Sequence, residues 1–209
     1  MHSHIEWLFF DIGSTLVDES AAYEHRIRDM IAGTDIPYPV FLQKMLAYFS
    51  ENKKGDIELA QELHLMVPAW HSEDERPYPD AHACLKTLSK TYRIGIIANQ
   101  PAGSSARLAQ FGLLPYIEVI AASAEEGVAK PDLRIFQNAL QRAKTQPCKA
   151  MMIGDRLDND IRPAKALGMG TVWIKQGFCA YATVRTTEET PDYTVGSLTE
   201  LLQIARSFP

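Results

Sequence analysis

A chain of 209 residues, 46% apolar and 22% charged, can bury a full core and still leave residues for a modest second lobe. Its net charge of −5, with no basic cluster longer than Lys53-Lys54, excludes the electrostatic footprint of a nucleic-acid or anionic-lipid binder, so the expected partner is a small molecule. No apolar run approaches the roughly 20 residues of a membrane helix, and Met1-His2-Ser3-His4 leads into a strand rather than a secretory leader, so a cytoplasmic protein is expected.

Residues 5–10 are a short apolar run that meets a carboxylate at Asp11 and a glycine at Gly13, the pattern of a buried parallel strand ending in a loop. The pattern then changes. Helix-like stretches at about 20–31, 40–52 and 56–66 are separated by turn signals at Gly33, Pro37, Pro39 and Gly55; 68–79 reads as a proline-rich, charged hinge, and 17–20 as the short hinge-like connection into this segment. Beyond it, Asp80 is placed to N-cap a helix over 81–90, followed by a strand over 93–98 that ends at Asn99. A helix over 102–111 closed by Gly112, a strand over 117–122, and a helix over 132–144 with Pro131 in its first turn come next. A strand over 150–153 ends at Gly154-Asp155, then come a helix over 158–167 closed by Gly168 and a strand over 171–174.

Strands alternating with helices predict an α/β fold: a Rossmann-like, doubly wound, mostly parallel sheet with right-handed crossovers. The core is expected from 1–16 and 80–209, with 17–79 inserted as a small α-helical cap. Ligands in such sheets bind outside the carboxyl ends of the strands, where Asp11, Asn99 and Asp155 all fall, so these three are read as one site. Cys84, Cys148 and Cys179 are odd in number and far apart, and no histidines stand at zinc spacing, so reduced, mostly buried thiols are expected. His2 and His4 are read as a frayed terminus rather than a metal clip.

The segment Phe9-Phe10-Asp11-Ile12-Gly13-Ser14-Thr15-Leu16 resembles the first motif of the haloacid dehalogenase superfamily. Lys130-Pro131 resembles its third motif, Gly154-Asp155-Arg156-Leu157-Asp158-Asn159-Asp160-Ile161 its acidic fourth, and the helical lobe falls where that family places a cap. The resemblance implies a magnesium-dependent hydrolase whose nucleophile is Asp11, which splits the reaction into two easier steps through an aspartyl-phosphate. Because the transferred group is anionic, a metal and a cation must supply positive charge. The implied metal ligands are Asp11, the main-chain carbonyl of Gly13 and Asp155, with Asp160 holding a metal-bound water or orienting Lys130. Asp158 competes for that role, its alternative being an N-cap. Lys130 is implied to neutralise charge between Asp11 and the phosphoryl oxygens, the alternative being a solvated lysine, and Thr15 to order the loop through its hydroxyl.

Two positions depart from the family pattern. Gly13 stands where phosphatases of the family usually carry a second aspartate as general acid and base, a contribution of about 10² to 10⁴-fold. Ala98 replaces the hydroxyl residue of the second motif, leaving Asn99 or loop N–H groups to bind the phosphoryl oxygen. Three functions follow: a magnesium-dependent phosphatase of reduced power on a small phosphorylated metabolite, a catalytically silent binder of a phospho-ligand or protein, and a haloacid dehalogenase. Tyr23, Arg26, Arg28, Trp70, His71 and Arg76 lie in or beside the cap and are read as a solvated face rather than as substrate contacts. A monomer or homodimer is expected.

Overall fold

The computed structural model describes residues 4–209, so His2 lies outside the described residues, while His4 is exposed. The chain begins with β1 (Trp7–Phe10), β2 (Val17–Asp18), α1 (Ser20–Ile31), α2 (Tyr38–Ser50), α3 (Gly55–Glu62) and β3 (Arg76–Pro77). It continues through α4 (Ala81–Leu88), β4 (Arg93–Ala98), α5 (Ser104–Gln110), β5 (Val119–Ala122), α6 (Ser123–Glu126) and α7 (Leu133–Ala143). After β6 (Ala150–Gly154), a π-turn over Leu157–Ile161 leads into α8 (Arg162–Ala166), then β7 (Gly170–Ile174), β8 (Tyr193–Val195) and α9 (Leu198–Ile204). No helix among the described residues is long and apolar enough to cross a membrane.

Six strands form one parallel sheet in the order β5-β4-β1-β6-β7-β8. Side chains alternate across a strand, so central β1 sends Leu8 and Phe10 into one hydrophobic cluster and Trp7 and Phe9 into the other. Helices α4 and α9 cover the first face through Leu85, Leu88, Leu198 and Leu201, and α7 covers the second through Ile135, Phe136, Ala139 and Leu140. All four β1 residues are buried, as a strand covered on both faces requires. The register pairs Phe10 with Ile96 on one side and Ile153 on the other, so the chain leaves β4, β1 and β6 at neighbouring points on one edge.

Helices α1–α3 pack around their own cluster of Ile27, Met30, Phe41, Met45, Phe49 and Leu59. Gly55 lets α3 approach α2 closely, since a Cβ there would meet the Met45 carbonyl and the Phe49 ring. The two crossings between this lobe and the sheet run side by side: β2 pairs with β3 antiparallel, Val17 opposite Pro77 and Asp18 opposite Arg76. A third contact comes from the turn after β7, where Phe178 stacks on Phe49 at 5.6 Å and meets Tyr23 edge-on at 5.0 Å.

Several local expectations need correction. Asp80 does not cap α4 with its side chain; it accepts instead from the backbone N and the hydroxyl of Thr199 at the start of α9, which joins two helices distant in sequence. The cap of α7 is Asp132, which accepts from the N–H of Arg134. The helix expected over 158–167 is split into the π-turn and α8, and those expected to 52 and 66 stop at Ser50 and Glu62. β8 and α9 were not foreseen. Cys84 and Cys179 are buried, but Cys148 is exposed.

Candidate active site

Asp11 follows β1 directly, Asp155 follows β6 and Lys130 precedes α7, and all three line one cleft at the carboxyl edge of the sheet. Lys130 Nζ lies 2.7 Å from Asp11 Oδ1 and 2.6 Å from Asp160 Oδ1. Asp160 is fully buried, and its second oxygen accepts from the Arg156 N–H at 3.0 Å. Asp160 therefore orients Lys130, one of the two roles implied for it. Asp158 does neither job suggested for it: it forms a two-point ion pair with Arg156, at 2.9 and 2.6 Å.

Carboxylate oxygens of Asp11, Asp155 and Asp160 lie within 4.8 Å of one another. Three buried acids so close repel, and a buried anion needs a partner. Burial, then repulsion from Asp160 and Asp11, pushes the Asp155 carboxyl well above the carboxylate range. Burial also raises Asp160, to about 6, against the opposing pull of Lys130. Burial pulls the Lys130 ammonium down, but Asp11 and Asp160 outweigh it and hold the group above its ordinary value. Lys130 is a charged, buried lysine between two carboxylates, not a solvated one.

Asn99 lines the cleft and has a role that was not expected. Its Nδ2 donates to the Lys130 carbonyl at 2.9 Å and its Oδ1 accepts from the Lys130 N–H at 2.7 Å, so the amide holds the lysine's backbone. The Thr15 hydroxyl is buried and meets no protein partner, so it does not order the loop. Ser14 does: its N–H donates to the Val17 carbonyl and its hydroxyl to Glu19 Oε2 at 3.0 Å. Glu19, in the hinge, has its carboxyl directly over Gly13, and burial pushes that carboxyl up to about 8.

The cleft has a volume of about 790 Å³ and is roofed by the helical lobe. Tyr23, Arg26, Trp70 and Arg76 line it, which corrects their reading as a solvated face. Arg28 pairs with Glu24 on the outside, and His71 lies between Asp29 and Glu73. Glu75 is buried in the hinge, where it accepts from Trp70 Nε1 at 2.7 Å and pairs with Arg107 of α5.

The model of the haloacid dehalogenase-like hydrolases matches residues 5–168 of the chain. The chain belongs to that family. It is 32% identical to a glyceraldehyde 3-phosphate phosphatase of Pyrococcus furiosus, over 96% of this chain and 92% of that protein. Among solved structures it is similar to the HAD-hydrolase YfnB of Bacillus subtilis bound to magnesium, at TM-score 0.70 and 21% identity, covering 97% of this chain and 99% of that one. It is similar also to an L-2-haloacid dehalogenase of Xanthobacter autotrophicus, at TM-score 0.68 and 19% identity over 98% and 100% of the two chains. Phosphatases and dehalogenases thus share this fold, and only site chemistry separates them.

As a member of this hydrolase family the chain is an enzyme, and its donor set suits a hard cation. Three clustered carboxylates face one lysine, and oxygen-only ligands are what magnesium takes. Sequence reasoning missed Ser14, Glu19, Glu75 and Arg107. Only the acidic pair Asp18-Glu19 at the mouth of the hinge gave any signal, because the contact of Glu19 with Gly13 depends on how the chain turns back after β1. His25 also escaped notice, and with it the pairing with His71: 46 positions apart on the chain, the two rings stack at 3.5 Å beside Glu73 and Asp74 on the lobe.

Proposed function

We propose that this hydrolase is a magnesium-dependent phosphatase that acts on a small phosphorylated metabolite through an aspartyl-phosphate on Asp11, with residues 17–79 as its cap. The observation that carries the reading is Lys130 between Asp11 and Asp160, beside a third carboxylate at Asp155. That cluster has an excess of negative charge that a divalent cation would balance. A dehalogenase, whose leaving group is a halide, has no use for such a cradle. The name of the Pyrococcus relative, a phosphatase of a small phosphorylated aldehyde, supports the same class. So does magnesium in the Bacillus neighbour. A cleft of about 790 Å³ is within the range that takes a small metabolite.

Asp11 attacks phosphorus, and Lys130 neutralises charge between the nucleophile and the phosphoryl oxygens. Asn99 acts as a positioning residue that fixes the Lys130 backbone. Magnesium, when bound, would be held by Asp11, the Gly13 carbonyl and Asp155, with Asp160 behind them, and would supply further positive charge to the phosphoryl group. The cap excludes water from the aspartyl-phosphate when it closes. Gly13 carries no acid and Ala98 no hydroxyl, so turnover of esters with poor leaving groups is expected to be lower than in a member that carries both.

Calorimetric titration with magnesium tests the reading together with assays of phosphate esters, acyl phosphates and haloacids. The expected result is one magnesium site, lost in Asp155→Ala, and release of phosphate but not halide that depends on the metal. Because Asp155 and Asp160 hold their protons to raised pH, protons compete with the cation, and affinity should fall as pH drops through about 6. Magnesium binding unchanged in Asp155→Ala would remove that residue from the ligand set. Halide release without metal would favour the dehalogenase.

A further inference from the structure

The space over Gly13 is filled. A Cβ built on Gly13 would lie 2.5 Å from Glu19 Oε1 and 2.7 Å from Glu19 Oε2, so the carboxyl group of the hinge glutamate stands where a side chain at position 13 would begin. It is not there by default of packing alone: Ser14 Oγ donates to Oε2 at 3.0 Å and fixes it, while no protein donor among the described residues reaches Oε1. Glu19 lines the same cleft as Asp11 and Lys130. Ser14 itself holds a left-handed conformation, φ 52°, and its N–H is bonded to the Val17 carbonyl, so the turn that brings Glu19 back over Gly13 is built from the loop's own backbone.

We propose that Glu19 is a catalytic residue of this site, the carboxyl group that moves the proton which Gly13 cannot. The proposal rests on the phosphatase reading above. In the first step the Asp11 carboxylate oxygen bonds to phosphorus as the bond from phosphorus to the leaving oxygen breaks, and the Glu19 carboxyl gives its proton to that oxygen. In the second, Glu19 as carboxylate takes a proton from a water whose oxygen bonds to phosphorus, and the bond to Asp11 breaks. Ester and water become alcohol and phosphate, and both carboxyls return to their starting state. The acid thus comes from the hinge instead of the nucleophile loop, which makes its placement part of how the lobe sits on the sheet. The gap left by Ala98 is not filled by this device.

The test compares leaving groups. An alkyl phosphate needs its leaving oxygen protonated, whereas p-nitrophenyl phosphate does not. In Glu19→Gln, which keeps the size and can still accept from Ser14, kcat for the alkyl ester should fall by about 10² to 10⁴-fold, and that for p-nitrophenyl phosphate far less. In Gly13→Asp/Glu19→Ala the carboxyl returns to position 13 in space that Glu19 has vacated, and alkyl ester turnover should recover relative to Glu19→Ala. Melting temperatures check that each variant is folded. Equal losses on both esters in Glu19→Gln, or no loss on either, overturn the assignment and leave the phosphatase reading standing. A native protein active on p-nitrophenyl phosphate but inert on alkyl esters does the same. A native protein inactive on both esters with magnesium overturns the phosphatase reading and this assignment with it.

Discussion

Asp11→Asn is expected to lower phosphate ester hydrolysis by about 10⁴ to 10⁶-fold, the scale on which removal of a nucleophile acts, without unfolding the protein. The amide cannot form the acyl-phosphate, and Asp160 cannot take its place, being fully buried with both oxygens engaged, by Lys130 and by the Arg156 N–H. Lys130 keeps Asp160 as partner, and the repulsion that raises Asp155 is relieved, so the melting temperature should not fall. Steady-state phosphate release at saturating magnesium measures the effect. A variant that keeps more than a tenth of the native rate would show that Asp11 is not the attacking group.

Lys130→Met carries the second large effect, on stability as well as activity. Lys130 is 5% exposed, and its removal leaves Asp11 and Asp160 without the cation they share. Breaking a buried pair in this way costs about 3–5 kcal/mol. At roughly 2–4 °C per kcal/mol for a chain of this size, the melting temperature in metal-free buffer should drop on the order of 10 °C. Magnesium should restore part of the loss, because a cation that binds only the folded cluster stabilises by mass action. The rise in melting temperature on adding magnesium should therefore be larger in Lys130→Met than in the native protein. No change in metal-free melting temperature would mean that Lys130 does not compensate buried carboxylate charge on Asp11 and Asp160 in the folded state.

The layer structure was legible because its signals are long or repeated. β1, β4 and β6 are apolar runs that end in polar residues, and α1 and α7 carry amphipathic periods with clear ends, so the order of elements and the edge that carries Asp11, Asn99 and Asp155 could be read directly. β8 has only three residues, one of them exposed, and follows a stretch without periodicity, so nothing local marks it. Asp80 fits an N-cap for α4 by sequence alone, and only the packing of α9 against α4 redirects it.

Within the site, residues whose role depends on strand ends were easier to place than those whose role depends on loop shape. Asp11, Lys130, Asp155 and Asp160 come together as the resemblance implied. The bond of Asn99 to the Lys130 backbone was not legible, since an amide at a strand end can bond a ligand or the neighbouring loop, and only the fold shows that the loop is in reach. Glu19 was hidden because a residue eight positions after Asp11 comes back over Gly13 only through the turn at Ser14. Arg26, Trp70 and Arg76 were hidden for a similar reason: which side of the lobe faces the sheet is set by the paired crossings β2 and β3, not by the composition of the lobe.

The central claim is that phosphorus passes through Asp11, and the stereochemical course at phosphorus tests it most directly. A phosphate monoester made chiral with oxygen isotopes is to be turned over with magnesium, its phosphoryl group passed to an acceptor alcohol in place of water, and the configuration of the product determined. Two successive displacements, onto Asp11 and off it, predict net retention. Net inversion would mean a single direct displacement and would contradict an aspartyl-phosphate on Asp11.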